Sequence, residues 1–129
     1  MTDQNMDILQ IVVGRGLPEK QIGAGDTLFL KGDTAGAMYV VQTGMIEVLM
    51  YGRVLERLGP GGIVGEMALI DGNARCAAAL TGTDSRLVAI DKKAFYELVR
   101  SEPRFALAVI KVLAARLRSL RGETATDLK

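Results

Sequence analysis

"GPGGIVGEMALIDGNARCAAAL", Gly59 to Leu80, sets one glutamate and one arginine nine positions apart, Glu66 and Arg75, among glycines and small apolar residues. Its glycines at 59, 61, 62 and 65 do not fall into G-x-G-x-x-G. No G-x-x-x-x-G-K-[ST] occurs anywhere, so dinucleotide and P-loop readings lack support. Two readings of the opposite charges stay open here. Either they form an ion pair bracketing a loop, or they are two halves of a site for something carrying a negative charge and a hydroxyl.

The stretch lies within a segment of short apolar runs, Gln21 to Ile90. The runs are "TLFL" (Thr27–Leu30), "MYVV" (Met38–Val41), "MIEVLM" (Met45–Met50), "VLERL" (Val54–Leu58), "AAAL" (Ala77–Leu80) and "RLVAI" (Arg86–Ile90). Turn residues such as "KGD", "QTG", "GPGG" and "TGTD" separate them, and twelve of the fifteen glycines fall between Gly23 and Gly82. Short strands punctuated in this way predict a mainly β fold, an antiparallel sandwich or jelly roll over about residues 21–90. "YG", Tyr51–Gly52, predicts a tight hairpin with Gly52 at positive φ.

Helices flank this segment. Ile8, Leu9, Ile11, Val12 and Val13 predict a short N-terminal helix over Asp7 to Val13. Beyond Ile90, Asp91 is placed to cap "KKAFYELVR", and Pro103 to open a last helix reaching about Arg121, so that C-terminal helices span about 92–121. Ala106, Val109, Ile110, Leu113, Leu117 and Leu120 give that helix an apolar stripe. Gly122 is expected to end it, leaving "ETATDLK" as a frayed tail. Lys111, Arg116, Arg118 and Arg121 read as a solvated face complementing the helix dipole rather than as a nucleic-acid stripe.

Composition narrows the classes. The 129 residues predict a single domain, 1–129, with one real core. Sixteen basic residues balance fifteen acidic ones, so no broad basic field exists to hold nucleic acid. No run reaches the roughly 18 apolar residues of a membrane span, and "MTDQNMDILQ" has its charge of the wrong sign for a signal peptide. The single cysteine, Cys76, excludes an internal disulfide and suits a reducing cytoplasm. With no histidine, His/Cys metal sites and Ser-His or Cys-His catalytic pairs are excluded. The expectation is a protein without catalysis, metal or cofactor.

The residues around Glu66 define a ligand inventory. Gly65 permits close backbone approach, and "EMALI" forms a helical turn with free N–H groups at its start. Arg75 offers a planar fork of donors matched to phosphate oxygens. A carboxylate beside a phosphate needs its own donor, and a ribose hydroxyl is one. Glutamate for a 2′-hydroxyl, arginine and backbone for a singly charged phosphate, and small Ala68 and Ala77 for clearance fit a 3′,5′-cyclic nucleotide.

The same stretch closely resembles the phosphate-binding cassette of cyclic nucleotide-binding domains, written F-G-E-[LM]-[AS]-L, then a loop and R-[STA]-A. The likeness extends to "GDTLFLKGDTAGAMYVVQTGMIEV" and "SRLVAIDKKAFYELV", and so covers about Gly25 to Val99. It implies a β-roll of about eight strands with flanking helices. It implies that Glu66 takes the ribose 2′-hydroxyl and Arg75 the cyclic phosphate. Gly65, Met67 and Ala68 would lend backbone groups, and Cys76 and Ala77 would close the phosphate side. Val64 replaces a common aromatic. Cys76 replaces Ser, Thr or Ala, and reads as a small buried packing residue rather than a redox sensor. The implied function is a regulatory sensor for cAMP, with cGMP as the other candidate ligand. The alternative is a degenerate domain of the same fold that binds a protein instead. A histidine-dependent jelly-roll metalloenzyme is excluded by composition. The resemblance further implies that the base is covered by the helix Pro103 to Arg121, which could also pair with a second copy to form a homodimer or contact an effector protein.

Overall fold

The computed structural model describes residues 3–120. Helix α1 (Asp3–Val12) precedes β1 (Glu19–Ile22), β2 (Thr27–Phe29), β3 (Ala37–Thr43), β4 (Ile46–Met50), β5 (Arg53–Leu58) and β6 (Ile63–Val64). Helix α2 (Glu66–Asp71), β7 (Ala78–Thr81), β8 (Ser85–Asp91), α3 (Lys92–Ser101) and α4 (Pro103–Leu120) follow. The eight strands form two antiparallel sheets, ordered β1-β8-β3-β6 and β2-β7-β4-β5. The predicted β-roll is therefore present. β1 begins at Glu19, ahead of the expected start, and β6 is too short to stand out as an apolar run.

The central strands of the first sheet, β3 and β8, are covered on both faces, which explains their nearly continuous apolar character. Successive side chains of a strand point to opposite faces. On β3, Met38 and Val40 enter a core with Ile8, Phe95, Leu98, Phe105 and Val109 from the helices. Tyr39 and Val41 face the other way, into the roll interior with Ile46, Leu58, Val64, Ala79 and Leu87. β8 divides likewise, with Val88 and Ile90 on the helical side and Leu87 inside the roll.

The expected hairpin at Tyr51–Gly52 joins β4 to β5. Both turn residues have positive φ, 53° at Tyr51 and 76° at Gly52, as the primed hairpin turn requires. Asp91 caps α3 by accepting from the Ala94 N–H at 2.8 Å, a contact worth about 1 kcal/mol. Phe95 and Phe105 meet edge to face, with ring centroids 5.7 Å apart, which fixes α4 against α3.

The last helix corrects the predicted stripe. Phe105, Ala108 and Val109 are buried, and Val112 continues their face towards the second sheet. Ile110 is 59% exposed and Leu117 is 55% exposed. α4 carries apolar residues on two faces, and the sequence stripe mixed them. The exposed set, Leu107, Ile110, Ala114 and Leu117, has its own 3–4 spacing. The predicted helix end at Gly122 and the tail beyond it lie outside the described residues.

Candidate functional site

A cavity of about 450 Å³ opens between the second sheet, α2 and the far half of α4. Small-molecule sites commonly fall between about 300 and 1,000 Å³. Phe29, Val48, Leu58 and Val112 supply apolar wall, while Glu66, Arg75 and Arg116 bring charge.

Gly65 makes the approach to α2 possible. Its φ of 84° is in the left-handed region, and a Cβ there would lie 2.5 Å from Arg75 Nη1. Only glycine satisfies both constraints. The chain then places Glu66, 1% exposed, in the first turn of α2, followed by half-exposed Met67 and buried Ala68. Ala77 is buried on the opposite wall.

Arg75 is 5% exposed. Its backbone is clamped on the loop after β2: its N–H donates to Asp33 O at 2.9 Å, and its carbonyl accepts from the Gly32 N–H at 2.8 Å. Its guanidinium donates from Nη1 to Gly65 O at 2.7 Å and from Nη2 to Ala37 O at 2.5 Å. Cζ sits 4.0 Å above the Phe29 ring centroid, a cation–π contact. Nε is buried without a partner. Burial pushes the guanidinium below its ordinary pKa, while nearby Tyr39, Glu66 and Asp33 pull it back. Among the described residues no carboxylate forms an ion pair with it.

The simple Glu66–Arg75 ion pair is therefore absent. Glu66 instead offers Oε2 to Arg116 Nη1, on α4, and holds Oε1 buried and unpaired. Arg116 also donates from Nη2 to the Ile63 carbonyl and from Nε to Glu56 Oε1 at 3.1 Å. The sequence placed Arg116 on a solvated face, and that is corrected: its side chain is 18% exposed and continues the buried face Phe105, Val109, Val112. An arginine in register with a core stripe was the available signal. Phe29, Ala37 and Glu56 were also missed, because each acts from a distant strand.

Cys76 is a further correction. Its thiol is exposed, not packed away, and the residue lines the cavity beside Arg75.

Fold and site together define a β-roll whose cavity joins a buried cation to a buried carboxylate. Residues 19–102 match the family described as the cyclic nucleotide-binding domain, and the chain belongs to that family. It is 34% identical over 99 residues to the cyclic AMP receptor protein of Thermus thermophilus, an alignment covering 73% of this chain and 46% of that protein. The crystal structure of the catabolite activator protein of Thermus thermophilus superposes with a TM-score of 0.75 at 28% identity, covering 94% of this chain and 57% of that one. A structure described with a cyclic-GMP-dependent signalling pathway that regulates bacterial phytopathogenesis gives a TM-score of 0.73 at 28% identity, covering 92% and 95%. The chain thus spans less than half of the curated receptor it matches. No described helix is long and apolar enough to cross a membrane.

Proposed function

We propose that the cavity binds a 3′,5′-cyclic nucleotide, cAMP in preference to cGMP, and that the domain acts as a regulatory sensor without catalysing a reaction. The observation that carries this reading is the state of Arg75. A nine-tenths buried cation satisfied only by neutral carbonyls lacks the charge partner that burial ordinarily demands. Four charged side chains line the cavity, but both carboxylates, Glu56 and Glu66, serve Arg116. One monoanion at Arg75 completes the set.

Glu66 Oε1 supplies the complementary acceptor for a ribose 2′-hydroxyl. Gly65, Met67 and Ala68 lend backbone groups, and Cys76 and Ala77 close the phosphate side. The preference for cAMP is supported by the similarity to a cyclic AMP receptor and by a thiol, a weak donor, at position 76. The cyclic-GMP-linked structural relative keeps cGMP as the competing ligand. A cytoplasmic setting belongs to the same reading and is supported by the lone unpaired cysteine.

The exposed stripe Leu107, Ile110, Ala114 and Leu117 on α4 supports a second copy of the chain as the protein partner, paired helix to helix. We assign no nucleic-acid partner to the described residues, whose exposed cations on α4 are scattered. Calorimetric titration with cAMP, cGMP and 5′-AMP tests the ligand. Saturable binding of the cyclic monoanions, with cAMP tighter, is expected. Absence of heat from either cyclic nucleotide overturns the reading.

A further inference from the structure

Cys76 is the only cysteine of the chain, and it occupies a wall that is otherwise committed to a ligand. Two observations that do not involve the thiol point to that ligand. Glu66, 1% exposed, leaves Oε1 without a partner, and Arg75, 5% exposed, leaves Nε without one; both side chains line the cavity. Cys76 lies between buried Arg75 and buried Ala77, and is itself exposed. Exposed, and part of the cavity lining next to Arg75, it stands at the rim of the site. The backbone bonds of Arg75 to Gly32 and Asp33 hold this segment in place.

We propose that Cys76 is a thiol-modification site whose occupancy and that of the anion seat exclude one another. A mixed disulfide on Sγ blocks the cavity, and a bound ligand shields the thiol. The proposal rests on the reading of the cavity as a cyclic nucleotide site and adds a redox condition to it: only the reduced protein is receptive.

The chemistry is thiol–disulfide exchange with a low-molecular-weight disulfide such as oxidised glutathione. The thiol gives its proton to solvent, and the thiolate attacks one sulfur of the disulfide. A bond forms between Sγ and that sulfur, the original sulfur–sulfur bond breaks, and its electron pair leaves with the departing thiolate, which is reprotonated. Cys76 is oxidised and one half of the disulfide is reduced. Access decides whether such exchange occurs, and Cys76 has it. The added glutathionyl group fills space beside Arg75 and carries carboxylates of its own, which take up Arg75 in place of a phosphate.

The experiment treats the whole chain with oxidised glutathione, with and without saturating cAMP, and follows adduct formation by intact mass. Calorimetry then compares cAMP binding before modification, after it, and after reduction by dithiothreitol. Saturating cAMP is expected to slow adduct formation at least tenfold. The adduct is expected to bind cAMP at least tenfold more weakly, with full recovery on reduction. Whatever its own affinity, Cys76→Ser is expected to bind identically before and after the reagent. Equal adduct rates with and without a nucleotide that calorimetry shows to be bound, or normal binding by the adduct, overturns the exclusion alone. If the unmodified protein binds no cyclic nucleotide, the ligand reading falls and takes the exclusion with it.

Discussion

At one end of the cavity Arg75 donates to the carbonyls of Gly65 and Ala37 and rests on the Phe29 ring. At the other, Arg116 is held by the carboxylates of Glu56 and Glu66 and by the Ile63 carbonyl. Both are arginines in a low-dielectric wall, yet their acceptors differ in charge. Carbonyls fix the orientation of a guanidinium without cancelling its charge. Carboxylates do both. The Arg75 end thus keeps an uncancelled charge, on which the proposed anion seat rests, and the Arg116 end is a clasp between α4 and the roll.

The sharpest way to break the contrast is Arg75→Ala. Losing the fork leaves a desolvated phosphate unpaired, which costs about 2–5 kcal/mol, or roughly 30-fold to several-thousand-fold in cAMP affinity by calorimetry. Arg75→Lys is expected to bind poorly as well, because a point charge cannot replace aligned donors. Affinities equal to wild type would remove Arg75 from the site.

At the other end, Arg116→Ala is expected to act first on stability. It strands the buried Glu66 carboxylate, and the loss should be about 2–3 kcal/mol in chemical denaturation, below the 3–5 kcal/mol of a fully buried pair because Arg116 keeps some solvent contact. Adding Glu66→Gln should recover part of the loss. An unchanged denaturation midpoint in the single variant would mean that the clasp contributes nothing.

A ligand hydroxyl on Glu66 Oε1 leaves Oε2 on Arg116, so binding should tighten α4 rather than release it. Amide exchange over Phe105 to Ser119 is expected to slow by about tenfold at saturating cAMP, equivalent to about 1.4 kcal/mol. Identical protection in both states excludes α4 as the readout. The smallest effect concerns selectivity. Cys76→Thr adds one neutral hydrogen bond, about 0.5–1.5 kcal/mol, so the ratio of cGMP to cAMP affinity should rise roughly 2- to 13-fold in parallel titrations.

The same contrast explains what could be read from the sequence. Gly65, Glu66, Arg75 and Ala77 lie close together in the chain, so their residue types and spacing were enough to nominate them. Arg116 is fifty positions from Glu66, and its role exists only once α4 is seated by Phe105 and Val109. Six strands, β2 to β5, β7 and β8, were legible from apolar runs between glycine turns; β1 was not, because three of its four residues are polar. β6 was not, because its two residues gain their strand character from pairing with Tyr39 and Val40. Ile110 and Leu117 were expected within the buried stripe because spacing alone cannot choose between two apolar faces. Cys76 was expected to be buried by its small neighbours, but it lies in a bend just ahead of β7 that leaves it exposed.

That short strand also decides how the molecule melts. Ile63 enters the helical core and Val64 the roll interior, while the Ile63 carbonyl receives Arg116 and the chain passes directly into Gly65. Neither core can come apart without dragging this dipeptide out of the other, so both should be lost in a single thermal transition. Any ligand seated beside Glu66 then raises one melting temperature for the entire molecule, by mass action worth about 2.7 kcal/mol when it stands near a hundred times its Kd. A plain thermal-shift screen across mononucleotides, cyclic and linear, therefore reads occupancy of this cavity without any label, effector or assay of output.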